Sequence, residues 1–177
     1  MKYVYNTLIG IVLLVAGVAL IAFFLPSEIR VIRSIEIEAP AEHVFPLIEN
    51  LNRWPEWTAW SQRDPSMKLT QTGPQNGVGA TQSWASETEG NGSLSVIVSE
   101  SPHYMAYDLR IEGFDSLSVG EFELEESAAG TTVIWIDNID FGGNLIGRIF
   151  GLFLDGMIGN DFEVGLQNLK SRAEESL

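Results

Sequence analysis

The 177-residue sequence contains no cysteine. It can have no disulfide framework, no thiolate metal site and no thiol nucleophile. Histidine is nearly as scarce. His43 and His103 are the only two, and two imidazoles so far apart without cysteine do not make a transition-metal site. Positive charge is short as well: 10 Lys and Arg stand against 24 Asp and Glu, a net charge of −14. Such a chain repels phosphate backbones, which excludes nucleic acid as a partner. The acids show no D-x-D-x-D-G spacing, so they do not form a calcium loop. There is no G-x-S-x-G elbow and no Walker A loop. Gly77-Val78-Gly79 is too short for a dinucleotide fingerprint. Internal repeats are absent. The sequence therefore points to no cofactor, no metal and no catalytic constellation.

One segment lacks charge altogether. Leu8–Leu25 (LIGIVLLVAGVALIAFFL) runs for 18 residues, 16 of them apolar. At about 1.5 Å per residue it spans about 27 Å, near the roughly 30 Å of a bilayer core. Tyr3 and Tyr5, Phe23 and Phe24 sit near its two ends, where interfacial aromatics collect. A cleaved signal peptide would have a shorter apolar region and a small-x-small site after it. Phe23-Phe24-Leu25-Pro26-Ser27 offers none, so the expectation is an uncleaved single-pass anchor, residues 1–26, ahead of a domain, residues 27–177. Lys2 and the α-amine on one flank nearly balance Arg30 and Arg33 on the other. The short basic tail tips the expectation toward a domain outside the cytoplasm. The segment also explains a paradox, since the mean hydropathy is +0.10 despite the acidity. Residues 26–177 keep nine bases and all 24 acids, a net charge of −15.

What remains is rich in alternation. Arg30–Glu38 puts Ile32, Ile35 and Ile37 among polar residues and predicts a strand. Ala39-Pro40-Ala41-Glu42 opens a helix, which Pro46 is expected to confine to short pieces. Met67–Thr72, Ala80–Thr88, the segment with Leu94, Val96 and Val98, Tyr104–Glu112, Leu117–Glu125 and Thr131–Ile139 predict six further antiparallel strands with one wet and one dry face. Glu89-Gly90-Asn91-Gly92 is expected to be the hairpin turn between the second and third of these, with Asn-Gly supplying the positive φ. From Asn144 the period changes. Ile158, Phe162, Leu166, Leu169 and Ala173 form a helical core stripe. Leu145–Ile158 is apolar nearly all round and reads first as a buried helix start, second as a gate or a membrane-touching segment.

The order of strand, short helices, antiparallel strands and one long helix is that of the helix-grip fold, an α+β class. The residues also resemble a family. Arg33-Ser-Ile-Glu-Ile-Glu-Ala-Pro40, Trp54-Pro-Glu-Trp57, Gly77-Val-Gly-Ala80, Gly130-Thr-Thr-Val-Ile-Trp135 and Gly159–Lys170 together are similar to the START-like, Bet v 1-like superfamily (SRPBCC), in its bacterial polyketide cyclase/dehydrase and lipid transport branch. The resemblance implies a curved antiparallel sheet around the C-terminal helix, with an apolar cavity between them for lipids, sterols or polyketides. Some members cyclise aromatic polyketides.

The candidate cavity residues are Trp54, Trp57, Trp60, Trp84, Met105, Tyr107, Leu109, Phe122, Leu124, Phe162 and Leu166. The three tryptophans spaced three apart share one side of a helical turn; they either plug the core or cover a ligand. Tyr107 combines an apolar ring with a hydroxyl that could orient a ligand oxygen. Tyr104, Asp137 and Trp84 are further inward polar candidates, whereas Arg110 belongs with Asp108 and Glu112 on the wet face. The leading expectation is a membrane-anchored domain that binds a hydrophobic small molecule or lipid. An interaction module with a filled cavity and a cyclase or dehydratase are the alternatives.

Overall fold

The computed structural model describes residues 2–114 and 116–175. A first helix, α1 (Lys2–Phe24), contains the apolar run. Tyr3–Phe24 is long and apolar enough to cross a membrane, and almost all of it is exposed. The rest is one seven-stranded antiparallel sheet packed on helices. The strands are β1 (Glu28–Ile37), β2 (Lys68–Thr72), β3 (Thr81–Ala85), β4 (Asn91–Glu100), β5 (Tyr104–Ile111), β6 (Leu117–Ser127) and β7 (Gly130–Asp140). Their spatial order is β1-β7-β6-β5-β4-β3-β2. All strands after β1 follow as a meander, and β1 returns to pair with β7. Two short helices, α2 (Ala41–Glu49) and α3 (Ala59–Arg63), flank a 3-10 segment, Leu51–Glu56, between β1 and β2. The long helix α4 (Leu145–Glu175) closes the fold against β1 and the short helices. This is the helix-grip architecture.

Alternation builds the core. In β7, Thr131, Val133, Trp135 and Asp137 point inward and are buried. Phe162, Leu166, Leu169 and Ala173 of α4 meet them from the other side. The centre is aromatic. Trp135 stacks on Phe162, 3.8 Å between ring centroids and 6° off parallel, and on Phe122 at 4.8 Å. Trp54 and Trp57 pack edge-on to Trp135. Their indole N–H groups donate to Ile48 O (2.7 Å) and Leu47 O (3.0 Å). These bonds make the burial of two indoles affordable.

The helices after β1 are the short pieces expected: α2 ends at Glu49, soon after Pro46, and spans nine residues; the exposed proline forfeits one ladder bond. Two local expectations are corrected. Asn91-Gly92 is not the turn but the start of β4. The turn is Ser86–Gly90, where Ser86 Oγ accepts from Thr88 N (3.1 Å) and Glu89 N (2.9 Å) and Gly90 takes the positive φ of 73°. Leu145–Ile158 is not a buried helix start. Gly147, Gly151 and Gly159 face β1 and its flank, and their missing side chains leave room for Phe141, Ile29 and Arg33. Ile146, Phe150, Leu152, Phe153 and Met157 are exposed, while Ile158 packs against the core.

Candidate ligand cavity

Between the sheet and α4 lies a cavity of about 190 Å³. A cavity of about 150 Å³ already admits benzene. Six of the eleven sequence candidates line it: Trp54, Trp60, Trp84, Tyr107, Leu109 and Phe162. The other five do not. Trp57, Met105, Phe122, Leu124 and Leu166 are packed in the core. Met105, Phe122 and Leu124 have the inward strand parity of wall residues, and Trp57 and Phe122 belong to the aromatic column around Trp135. Tyr104 is also corrected: its hydroxyl donates to Glu121 on the wet face at 2.8 Å, and burial with that carboxylate pushes its pKa up to about 12. Arg110 is exposed, as its parity implies.

The remaining wall is Met67, Leu69, Leu94, Ile111 and Ile158, with Gln82 and Asp137 as inner polar groups and Arg63, Glu89 and Asp161 at the rim. The rim is an ion-paired strap. Arg63 donates to Glu89 Oε2 at 2.8 Å and to Asp161 Oδ2 at 2.9 Å. These bonds hold the guanidinium pKa above its usual value and tie α3 to the β3–β4 turn and to α4. Partners 26 and 98 residues away leave no local sequence signal.

The inner polar group has a definite construction. Tyr107, Gly120 and Asp137 are cross-strand neighbours in one row over β5, β6 and β7. The Tyr107 ring lies across Gly120, where any Cβ would overlap it. Its hydroxyl thereby reaches Trp135 and accepts the indole N–H at 2.9 Å. No acceptor among the described residues takes the hydroxyl proton. Asp137 accepts from Ser118 Oγ at 2.6 Å through one oxygen; no described donor reaches the other. Gln82 donates to Leu51 O at 2.9 Å, which leaves its carbonyl oxygen for the cavity. Burial raises the Asp137 carboxyl to about 6, against the pull of the Ser118 bond, and holds the Tyr107 hydroxyl well above its usual value. The alternation of β7 carries the signal for Asp137, which shares parity with Val133 and Trp135.

Among the described residues no group of three or more His, Asp or Glu could hold a metal. His43 begins α2 and His103 sits in an exposed turn, both outside the cavity.

The sequence profile described as polyketide cyclase / dehydrase and lipid transport matches residues 28–174. The chain belongs to that family. The polyketide cyclase/dehydrase and lipid transport family is associated with hydrophobic ligands, and its match covers every strand of the sheet. A solution structure from Thermobifida fusca is 21% identical, with a TM-score of 0.63 over 82% of this chain and 93% of that one. The di-domain ARO/CYC StfQ from the steffimycin biosynthetic pathway is 10% identical, with a TM-score of 0.65; it covers 84% of this chain, which in turn spans about half (51%) of that protein. The di-domain ARO/CYC BexL from the BE-7585A pathway gives 16% and 0.63. At these identities the likeness establishes the fold. No curated protein matches the chain.

Proposed function

We propose that this family member is a membrane-tethered binding domain for a small, largely apolar molecule with one hydroxyl end. The observation that carries the reading is the cavity: apolar walls around an unused Tyr107 donor and an unused Asp137 acceptor. Apolar area leaving water drives entry at about 25 cal/mol per Å². The polar end selects, because a ligand without it strands both groups in a dry site. An open cavity disfavours the filled-core interaction module.

The test is paired titration of the full chain in nanodiscs with 2-naphthol and naphthalene, read by fluorescence from the wall tryptophans. Naphthol is expected to bind about tenfold tighter, as one net hydrogen bond provides. Tyr107→Phe is expected to remove most of that advantage while leaving naphthalene unchanged. Signals equal to those of empty nanodiscs for both probes would sink the reading.

Residues 1–26, through α1, serve as the tether, and the domain of residues 27–177 lies outside the cytoplasm. The length and exposure of α1 support the first statement, the basic N-terminal flank the second. A C-terminal reporter that matures only outside the cytoplasm is expected to be active; an inactive reporter on an inserted chain contradicts the orientation.

One observation favours a second reading, a cyclase or dehydratase. A carboxyl titrating near 6 beside a phenol can move protons at neutral pH. It could shuttle a proton at the carbon next to a ligand carbonyl held by Tyr107.

A further inference from the structure

The first half of α4 is two-faced in an unusual sense. Its inner face packs on the sheet through glycines. Its outer face has Ile146, Phe150, Phe153 and Met157 at steps of four, three and four, one continuous helical stripe. All four are exposed, between 50% and 71%. The same outer face then turns mostly polar, with Asn160, Gln167 and Ser171 exposed along the second half. Phe114, after β5, adds its ring to Phe150 at 6.5 Å, and Leu117, which opens β6, is 73% exposed. A soluble surface rarely leaves so many large apolar side chains contiguous.

The place of this patch decides its occupant. Arg148, within the stripe's span, donates to Phe23 O (3.0 Å) and Leu25 O (3.2 Å) and to Gly142 O (2.6 Å). The last carbonyls of α1 are thus bonded to the start of α4, with the cation at the negative end of the helix dipole. Ala22 is fully buried and lets the two helices touch. The N-terminal turns of α4, which open the stripe, are thus held at the end of the apolar helix. The acid nearest on α4, Asp155, points the other way, to Arg33 at 3.1 Å. The stripe residues Ile146, Phe150, Phe153 and Met157 carry no charge, so the stripe needs no anionic lipid, which the acidic domain would repel.

We propose that this outer face of α4, with Phe114 and Leu117, lies in the interfacial layer of the same bilayer that α1 spans. The inference rests on the reading of α1 as an anchor. Docked this way, the domain lies on its side. Ile111 and Ile158, which border the cavity, then sit next to the lipid-facing patch, so an apolar ligand enters from the membrane without crossing water.

The absence of cysteine makes site-specific labelling direct. Full chains with Val15→Cys, Phe153→Cys, Met157→Cys or Glu125→Cys, each with an environment-sensitive nitrobenzoxadiazole label, are placed in phosphatidylcholine vesicles with doxyl-labelled acyl chains. Labels at 15, 153 and 157 are expected to be quenched several-fold more than the label at 125, and to resist iodide. Two replaced positions guard against one misfolded variant. If position 15 is quenched but 153 and 157 behave like 125, the docked face is refuted and the anchor stands. If 153 and 157 resist iodide yet escape lipid quenching, protein covers the patch and the proposal falls. If position 15 itself is not quenched, the anchor reading fails and takes the proposal with it.

Discussion

Asp137→Asn is expected to stabilise the domain by about 2 kcal/mol at pH 8 and to flatten its pH profile. The carboxyl is nearly fully buried and titrates at about 6, against 3.8 for the free side chain. Below about pH 4 it is protonated in both folded and unfolded chains and costs nothing. Between about 4 and 6 the folded state keeps a proton that the unfolded chain has lost, so stability falls as pH rises. Above about 6 the full cost is in place, about 3 kcal/mol for a shift of this size. Asparagine keeps an acceptor for Ser118 and removes the charge, at the cost of burying an amide N–H₂. Denaturant melts of both proteins at pH 4.5 and 8 measure it: the gain is expected to be small at 4.5 and large at 8. A variant less stable at pH 8 would show that the carboxylate is paired in the fold. A group that weakens the fold at working pH is a common mark of a site kept for ligand or proton chemistry. In the enzymatic reading the same variant loses exchange of the α-protons of a cyclic ketone such as tetralone into D₂O.

The second large effect is a loss. Trp135→Ala is expected to cost about 3–5 kcal/mol, the range of large aromatic truncations in cores. The indole is wholly buried, stacks on Phe162 and Phe122, and packs edge-on to Trp54, Trp57 and Trp60. It also positions the Tyr107 hydroxyl. Tyr107→Phe gives the comparison: it leaves the Trp135 N–H without its partner and is expected to cost about 1–3 kcal/mol. Urea midpoints order the two. A Trp135→Ala loss below about 1 kcal/mol would mean that the column is not the keystone of the core.

The architecture was legible because its signals are local and periodic. Each strand shows its alternation, and α4 shows its stripe at Phe162, Leu166, Leu169 and Ala173. The cavity was legible only by half. Inward parity is shared by core and wall, so Met105 and Phe122 could not be told from Tyr107 and Leu109. What separates them is which side chains the distant helices cover. Asp137 was readable by parity, but its cost depends on three-dimensional burial. The Arg63 strap was invisible because its partners come from other elements. Leu145–Ile158 misled because apolarity all round usually means burial; here glycines form much of the inner face, and Ile146, Phe150, Leu152, Phe153 and Met157 are left outside.

A crystal structure of the chain grown with 2-naphthol tests the central claim most directly. The account predicts the bicyclic ring between Trp60, Trp84 and Leu94, with its oxygen within about 3 Å of both the Tyr107 hydroxyl and the free Asp137 oxygen. A cavity closed over by its own side chains, with naphthol bound only on the outer surface, would contradict it.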